Sequence, residues 1–170
     1  VKRNLYTLVL CFAWLAYTPL QAQQVTTFIL VRHAEKSLES TDDPSLSTQG
    51  QERAQRLMRL LEEVEIDVLY ASQYQRTLQT LQPYADSRKK SILRYKAAES
   101  EGLVLDCLKK HSGKTILIAG HSNTLSLMLN ALLGKQAYQP LADSEYEDVF
   151  VVSVWKKGAA QVLRLKYPLP

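Results

Sequence analysis

The chain predicts an α/β fold, a three-layer α/β/α sandwich around a mostly parallel but mixed sheet. Three observations carry this. Apolar runs of strand length alternate with segments of helical periodicity from Val25 onward. Two of those runs, "FILV" and the "ILIA" of "TILIA", are apolar without interruption, as strands covered on both faces are. The last two runs are joined by Lys157-Gly158, a hairpin signal that makes the final pairing antiparallel.

Taken in order, Val25 to Val31 reads as a buried strand of β-branched and aromatic residues. Ser37 to Ser47 is polar and contains Asp42-Asp43-Pro44, so it is a loop. A helix is expected to begin at Ser47 or Thr48, either of which can cap it. Gln51 stands three residues after Thr48, as a capping box would place it. The stripe of this helix is Ala54, Leu57, Met58 and Leu61. Ile66 to Ala71 reads as a second strand, Tyr74 to Ala85 as a second helix and Ser91 to Tyr95 as a short strand. Ala98 to His111 is a third helix, stopped by Gly113. Thr115 to Ala119 is another buried strand. Ser122 to Leu133 is a fourth helix with Leu125, Met128, Leu129 and Leu132 in one stripe, ended by Gly134. Val149 to Trp155 and Gln161 to Tyr167 complete the sheet. Neither an internal linker nor a repeat interrupts the pattern, so residues 23–170 read as one domain, long enough for a sizeable core.

Residues 1–22 read differently. Lys2 and Arg3 precede an apolar run from Leu5 to Tyr17, then Pro19 and "LQAQQ", the layout of a secretory signal peptide ending at Ala22. The run is short for a membrane span, which needs about 20 apolar residues. The expectation is an exported protein, periplasmic or secreted, with no stable membrane insertion after cleavage. An uncleaved anchor is the alternative. Without Lys2 and Arg3 the 21 basic residues become 19 against 17 acidic, a net charge of +2. That is too small and too evenly spread to point to nucleic acid. Cys107 is then the single cysteine after residue 22, on an apolar helical face with Leu103, Val104 and Leu108, and reads as a buried small hydrophobe. His111, in the last turn of its helix, is expected to meet the terminal carbonyls. The three histidines and this cysteine show no metal-ligand spacing. Nothing in the sequence sets an oligomeric state.

In a parallel sheet, ligands bind beyond the carboxyl ends of the strands. Arg32-His33 follows the first strand, Ser72 to Arg76 the second, and Gly120-His121-Ser122-Asn123 the "TILIA" strand, where it opens a helix. Three strand ends thus bring two arginines, two histidines and a helix N-terminus to one edge. Such a cluster calls for an anion, and a phosphate suits the arginine forks.

"LVRHAEK", "SQYQRTLQT" and "AGHSNT", in this order, resemble the histidine phosphatase superfamily, which includes the cofactor-dependent phosphoglycerate mutases. "LSTQGQERA" and "SEYEDVFVV" extend the likeness from about Thr27 to Val154. The resemblance implies a phosphoglycerate mutase-like fold and a nucleophile at His33 that becomes a phosphohistidine. It implies a phosphate pocket of Arg32, Arg76 and His121, with Ser122 beside it, and no metal or other cofactor. A cationic His121 is expected to help the arginines neutralise the transferring phosphoryl group.

A leaving alkoxide also needs a proton. One branch of the family carries an aspartate directly after the second histidine, where this chain has Ser122. Another carries a glutamate between the second arginine motif and the second histidine, an interval holding Glu99 and Glu101. Glu99, at a strand end and helix start, is the first candidate donor; Glu101 and Glu35 are the others. The function these readings imply is a metal-independent phosphatase acting on a small phosphomonoester. The alternatives are a phosphohistidine- or phosphoglycan-specific phosphatase, and a non-catalytic phospholigand-binding module. The chain lacks the long insertions associated with the mutases.

Overall fold

The computed structural model describes residues 24–169. The expected signal segment, with its cleavage point, lies outside the described residues. Strand β1 (Thr26–Arg32) is followed by helix α1 (Thr48–Leu60), β2 (Val68–Ser72), α2 (Gln75–Arg88) and β3 (Ile92–Tyr95). A single 3₁₀ turn (Ala97–Glu99) leads into α3 (Ser100–Lys110), then β4 (Thr115–Gly120), α4 (Ser122–Leu133), β5 (Asp148–Lys156) and β6 (Ala159–Lys166). The sheet order is β3-β2-β4-β1-β5-β6. β1 pairs parallel with β4, and β2 parallel with both β3 and β4. β5 and β6 join antiparallel, so the sheet is mixed as the terminal hairpin predicts.

Alternate residues of β1 face opposite layers. Phe28 and Leu30 pack with Val104, Leu125, Met128 and Leu129 of α3 and α4. Ile29 and Val31 pack with Leu57, Leu81 and Tyr84 of α1 and α2. Burying each such side chain contributes about 1.5–3 kcal/mol. This two-sided burial explains the unbroken apolar stretches Phe28 to Val31 of β1 and Ile116 to Ala119 of β4. Cys107 lies in the α3/α4 layer, where burial pushes its thiol up to about 11, so it is an unreactive packing residue.

Several local expectations need correction. The cap of α1 is Ser47, whose Oγ accepts from Gly50 N–H at 3.1 Å; Gln51 forms no capping box, because starting the cap one residue earlier puts Gly50 at the third position. A side chain is excluded at Gly50, since a Cβ there would stand 2.1 Å from the Glu35 carbonyl oxygen. Helix α2 runs three residues past the expected Ala85, to Arg88, with Pro83 inside it. Leu81, Tyr84 and Ala85, all in the core, hold the helix on both sides of that proline. The imidazole of His111 meets the Tyr70 hydroxyl at 3.1 Å rather than the carbonyls at the helix end. None of the described helices is long and apolar enough to cross a membrane.

Candidate active site

The centre of the site follows from strand register. β1 and β4 run side by side with Val31 opposite Ala119 and Arg32 opposite Gly120. The ladder continues one rung further, His33 N–H donating to Gly120 O at 2.9 Å. His33 and His121 therefore leave adjacent strands at the same level, and their rings stand edge-on, centroids 5.2 Å apart.

The backbone fixes the tautomer of His33. Its Nδ1 lies 2.7 Å from the Ala34 carbonyl, so Nδ1 carries the proton and Nε2 the lone pair. Ala34 is held in turn: its N–H donates to Thr80 Oγ1 at 2.9 Å, and the Thr80 hydroxyl donates to the Arg76 carbonyl at 2.7 Å. His121 is oriented by a second relay. The Thr77 hydroxyl donates to the Tyr74 carbonyl at 2.7 Å, which leaves it to accept from Ser72. Ser72 Oγ then accepts from His121 Nε2–H at 2.9 Å.

Arg32 is 6% exposed and packs its guanidinium 4.1 Å from the Tyr146 ring centre. One terminal nitrogen donates to the carbonyls of Ala142, Asp143 and Glu145, at 2.8, 3.2 and 3.0 Å. The other lies 4.0 Å from the Asp143 carboxylate, and Nε has no partner among the described residues. Arg76 stacks 4.3 Å over Tyr74 and faces the Asp43 carboxylate at 3.6 Å. Asp43 also accepts from the Gln75 N–H at 2.9 and 3.1 Å, capping α2, whose own N-cap, Tyr74, makes no side-chain bond.

Both histidines are neutral at pH 7. Burial first, then His121, Arg76 and Arg32, depress His33 to about 3, against the opposing bond to Ala34. Burial first, then Arg76 and Arg32, depress His121 to about 4, with Asp43 pulling the other way. The cationic His121 expected during phosphoryl transfer can then form only once an anion enters. Two guanidinium groups and a dry environment disfavour a third positive charge until an anion enters.

The structure brings Arg32, His33, Arg76 and His121 together, and Ser122 follows as the first residue of α4, its carbonyl accepting from Leu141 N–H. Glu99 is not brought in. Its side chain is 64% exposed, pairs with Lys96 at 3.7 Å and lines a separate cavity with Tyr70, Arg94 and Asp106. The reason is topological: β3 is the edge strand, two strands removed from β4 and three from β1. Glu101 is exposed in the first turn of α3. Glu35 is committed elsewhere. Its carboxylate accepts from Arg53 Nε at 2.8 and 2.9 Å and from a terminal nitrogen at 2.6 Å, tying the motif loop to α1. Asp43, Asp143, Tyr74 and Tyr146 are site residues that sequence reasoning missed. A signal existed for Asp43, because a helix opening "YQR" lacks its own cap and must borrow one.

Residues 28–99 match the family model of the histidine phosphatase superfamily (branch 1). With the site motifs in their expected order, this match supports the superfamily that those motifs resemble. No curated protein matches it significantly. Among solved structures, the fold is similar to that of the protein histidine phosphatase SixA complexed with tungstate, at 17% identity and a TM-score of 0.66, over 82% of this chain and 96% of that one. It is also similar to the α-ribazole phosphatase from Shigella flexneri, at 18% identity and 0.67, over 83% and 96%. A mycobacterial glucosyl-3-phosphoglycerate phosphatase with inorganic phosphate matches at 11% and 0.67, over 83% and 96%.

Proposed function

We propose that this chain is an exported, metal-independent phosphatase that hydrolyses a small phosphomonoester through His33. The observation that carries the reading is a neutral imidazole with its lone pair on Nε2, set among two arginines and a second histidine. In the first step Nε2 attacks phosphorus, the P–N bond forms, the ester P–O bond breaks and the alkoxide departs, taking a proton from solvent. Water then attacks phosphorus, the P–N bond breaks, and the water proton leaves with inorganic phosphate or solvent. Arg32, Arg76 and, once protonated, His121 neutralise the equatorial oxygens. The arginines supply the charge that a metal supplies elsewhere, so chelator is expected to leave activity unchanged.

The decisive test is trapping of the intermediate. Quenching without acid, with labelled substrate, should give an acid-labile, base-stable phosphoryl protein that His33→Ala abolishes. Label persisting in that variant would sink the assignment. Export is tested separately by N-terminal sequencing from the native host, where a mature start near Gln23 supports it and an intact N-terminus in membranes favours an anchor.

One observation favours a second reading, a phosphohistidine phosphatase. Glu99 and Glu101 are exposed outside the cluster, Glu35 is held by Arg53, and the carboxylates facing the cluster, Asp43 and Asp143, are paired with its arginines. An imidazole leaving group has less need of a donor than an alkoxide. Relative kcat/KM on a phosphohistidine peptide and an alkyl phosphate separates the two readings.

A further inference from the structure

The charge of the cluster is already balanced. Arg32 and Arg76 contribute two positive charges, and both histidines are neutral. Asp143, from the loop before β5, faces Arg32 at 4.0 Å, and Asp43, from the loop before α1, faces Arg76 at 3.6 Å. Four charged side chains therefore sum to zero around the place where a phosphoryl dianion must bind. The two arginines cannot neutralise the dianion and both aspartates at once, and protonation of His121 supplies one positive charge of the two required.

We propose that the substrate brings the other: the site takes a phosphomonoester whose alcohol carries an ammonium group a few bonds from phosphorus. This rests on the phosphatase reading only in that the phosphoryl group occupies the arginine cluster. As the phosphoryl oxygens compete for the guanidinium N–H groups, Asp143 and Asp43 lose their arginine partners, Asp43 keeping only the Gln75 N–H. Their side chains are fully and partly exposed, so a ligand cation can reach them from solvent. A second anionic group on the ligand, as in a bisphosphate, would instead meet two carboxylates.

The test compares two isosteres, phosphocholine and 3,3-dimethylbutyl phosphate, which differ in one quaternary nitrogen replaced by carbon. Affinities are measured by calorimetry at low salt on the full chain carrying His33→Ala, which prevents turnover. An exposed carboxylate about 7 Å from a cation in water is worth roughly a three-fold affinity change, so two of them give on the order of ten-fold in favour of phosphocholine. Asp143→Asn should reduce that preference to about three-fold, and raised salt should erode it. Equal affinity for the isosteres, a preference indifferent to Asp143→Asn, or failure of both to bind would overturn the proposal. The phosphatase reading is read out separately: tight, phosphocholine-selective binding with no phosphate release by the unmutated chain would sink that reading and leave this one standing.

Discussion

Thr80→Val tests how the nucleophile is held. Thr80 is buried, at 1% exposure, and its hydroxyl connects two site elements. It accepts from Ala34 N–H at 2.9 Å and donates to the Arg76 carbonyl at 2.7 Å. Valine keeps the shape and removes both functions. The Arg76 carbonyl still has its helical partner, so it loses little. Among the described residues Ala34 N–H donates only to Thr80 Oγ1, and Ala34 is itself fully buried. An unsatisfied buried amide costs about 1–3 kcal/mol. With a urea m-value of about 2 kcal/mol/M, a loss of about 2 kcal/mol moves the midpoint down by about 1 M. Thr80→Ser is the control: it keeps the hydroxyl, removes a methyl and should cost about 1 kcal/mol. Because the Ala34 carbonyl sets the His33 tautomer, Thr80→Val should also lose more activity than Thr80→Ser. Urea unfolding followed by circular dichroism gives the stabilities. If Thr80→Val unfolds with the wild-type midpoint, or if Thr80→Ser is the worse variant, the claim that this hydroxyl supports the motif turn is refuted.

Other expectations follow from the same geometry. Both site histidines titrate lower in the folded than in the unfolded chain, so the unfolded state binds more protons below about pH 6.5. Stability should be full above that pH and decline as pH falls toward 4 and then 3, by about 1.4 kcal/mol per pH unit for each histidine; His33→Ala should remove part of the slope, and an unchanged slope would contradict the assignment. Tungstate or phosphate binding at pH 6–7 should draw a proton onto His121, seen as a calorimetric enthalpy that depends on buffer ionisation; no proton uptake would mean that the arginines act alone. Glu99→Gln should change kcat/KM on alkyl and aryl phosphates by less than about two-fold, and a selective loss on alkyl phosphates would restore Glu99 as donor. Arg76→Ala should depress both substrates by on the order of 10²–10³-fold.

The layers of this fold were legible because burial on two faces writes itself into β1 and β4 as unbroken apolar runs, and α4 carries its stripe and its stop at Gly134. The motif residues were legible because they follow strands directly. Positions decided by tertiary contacts were not. Asp148 opens β5 although it is charged and buried, because Arg164 on β6 meets its carboxylate at 2.7 and 2.8 Å, a partner that local pattern does not reveal. Glu99 looked suitable by its place after a strand, yet strand order put that strand at the sheet edge. Asp43 and Asp143 lie in loops without periodicity, and only the folded chain shows which cation each one faces.

The in-register pairing of β1 with β4 has a consequence for how the protein comes into being. His33 and His121 are separated by just over half the chain, and no local contact can bring them together. Their juxtaposition depends on one long-range ladder, which ends with Arg32 opposite Gly120, with β4 made after two intervening strands and three helices. During synthesis the first motif must therefore wait, its arginine and histidine unmatched, until the ribosome has delivered the "TILIA" segment. Closing so long a loop is slow relative to helix formation. Affinity for an oxyanion is consequently a property that arises late, and its appearance in a refolding reaction would time the docking of the two central strands.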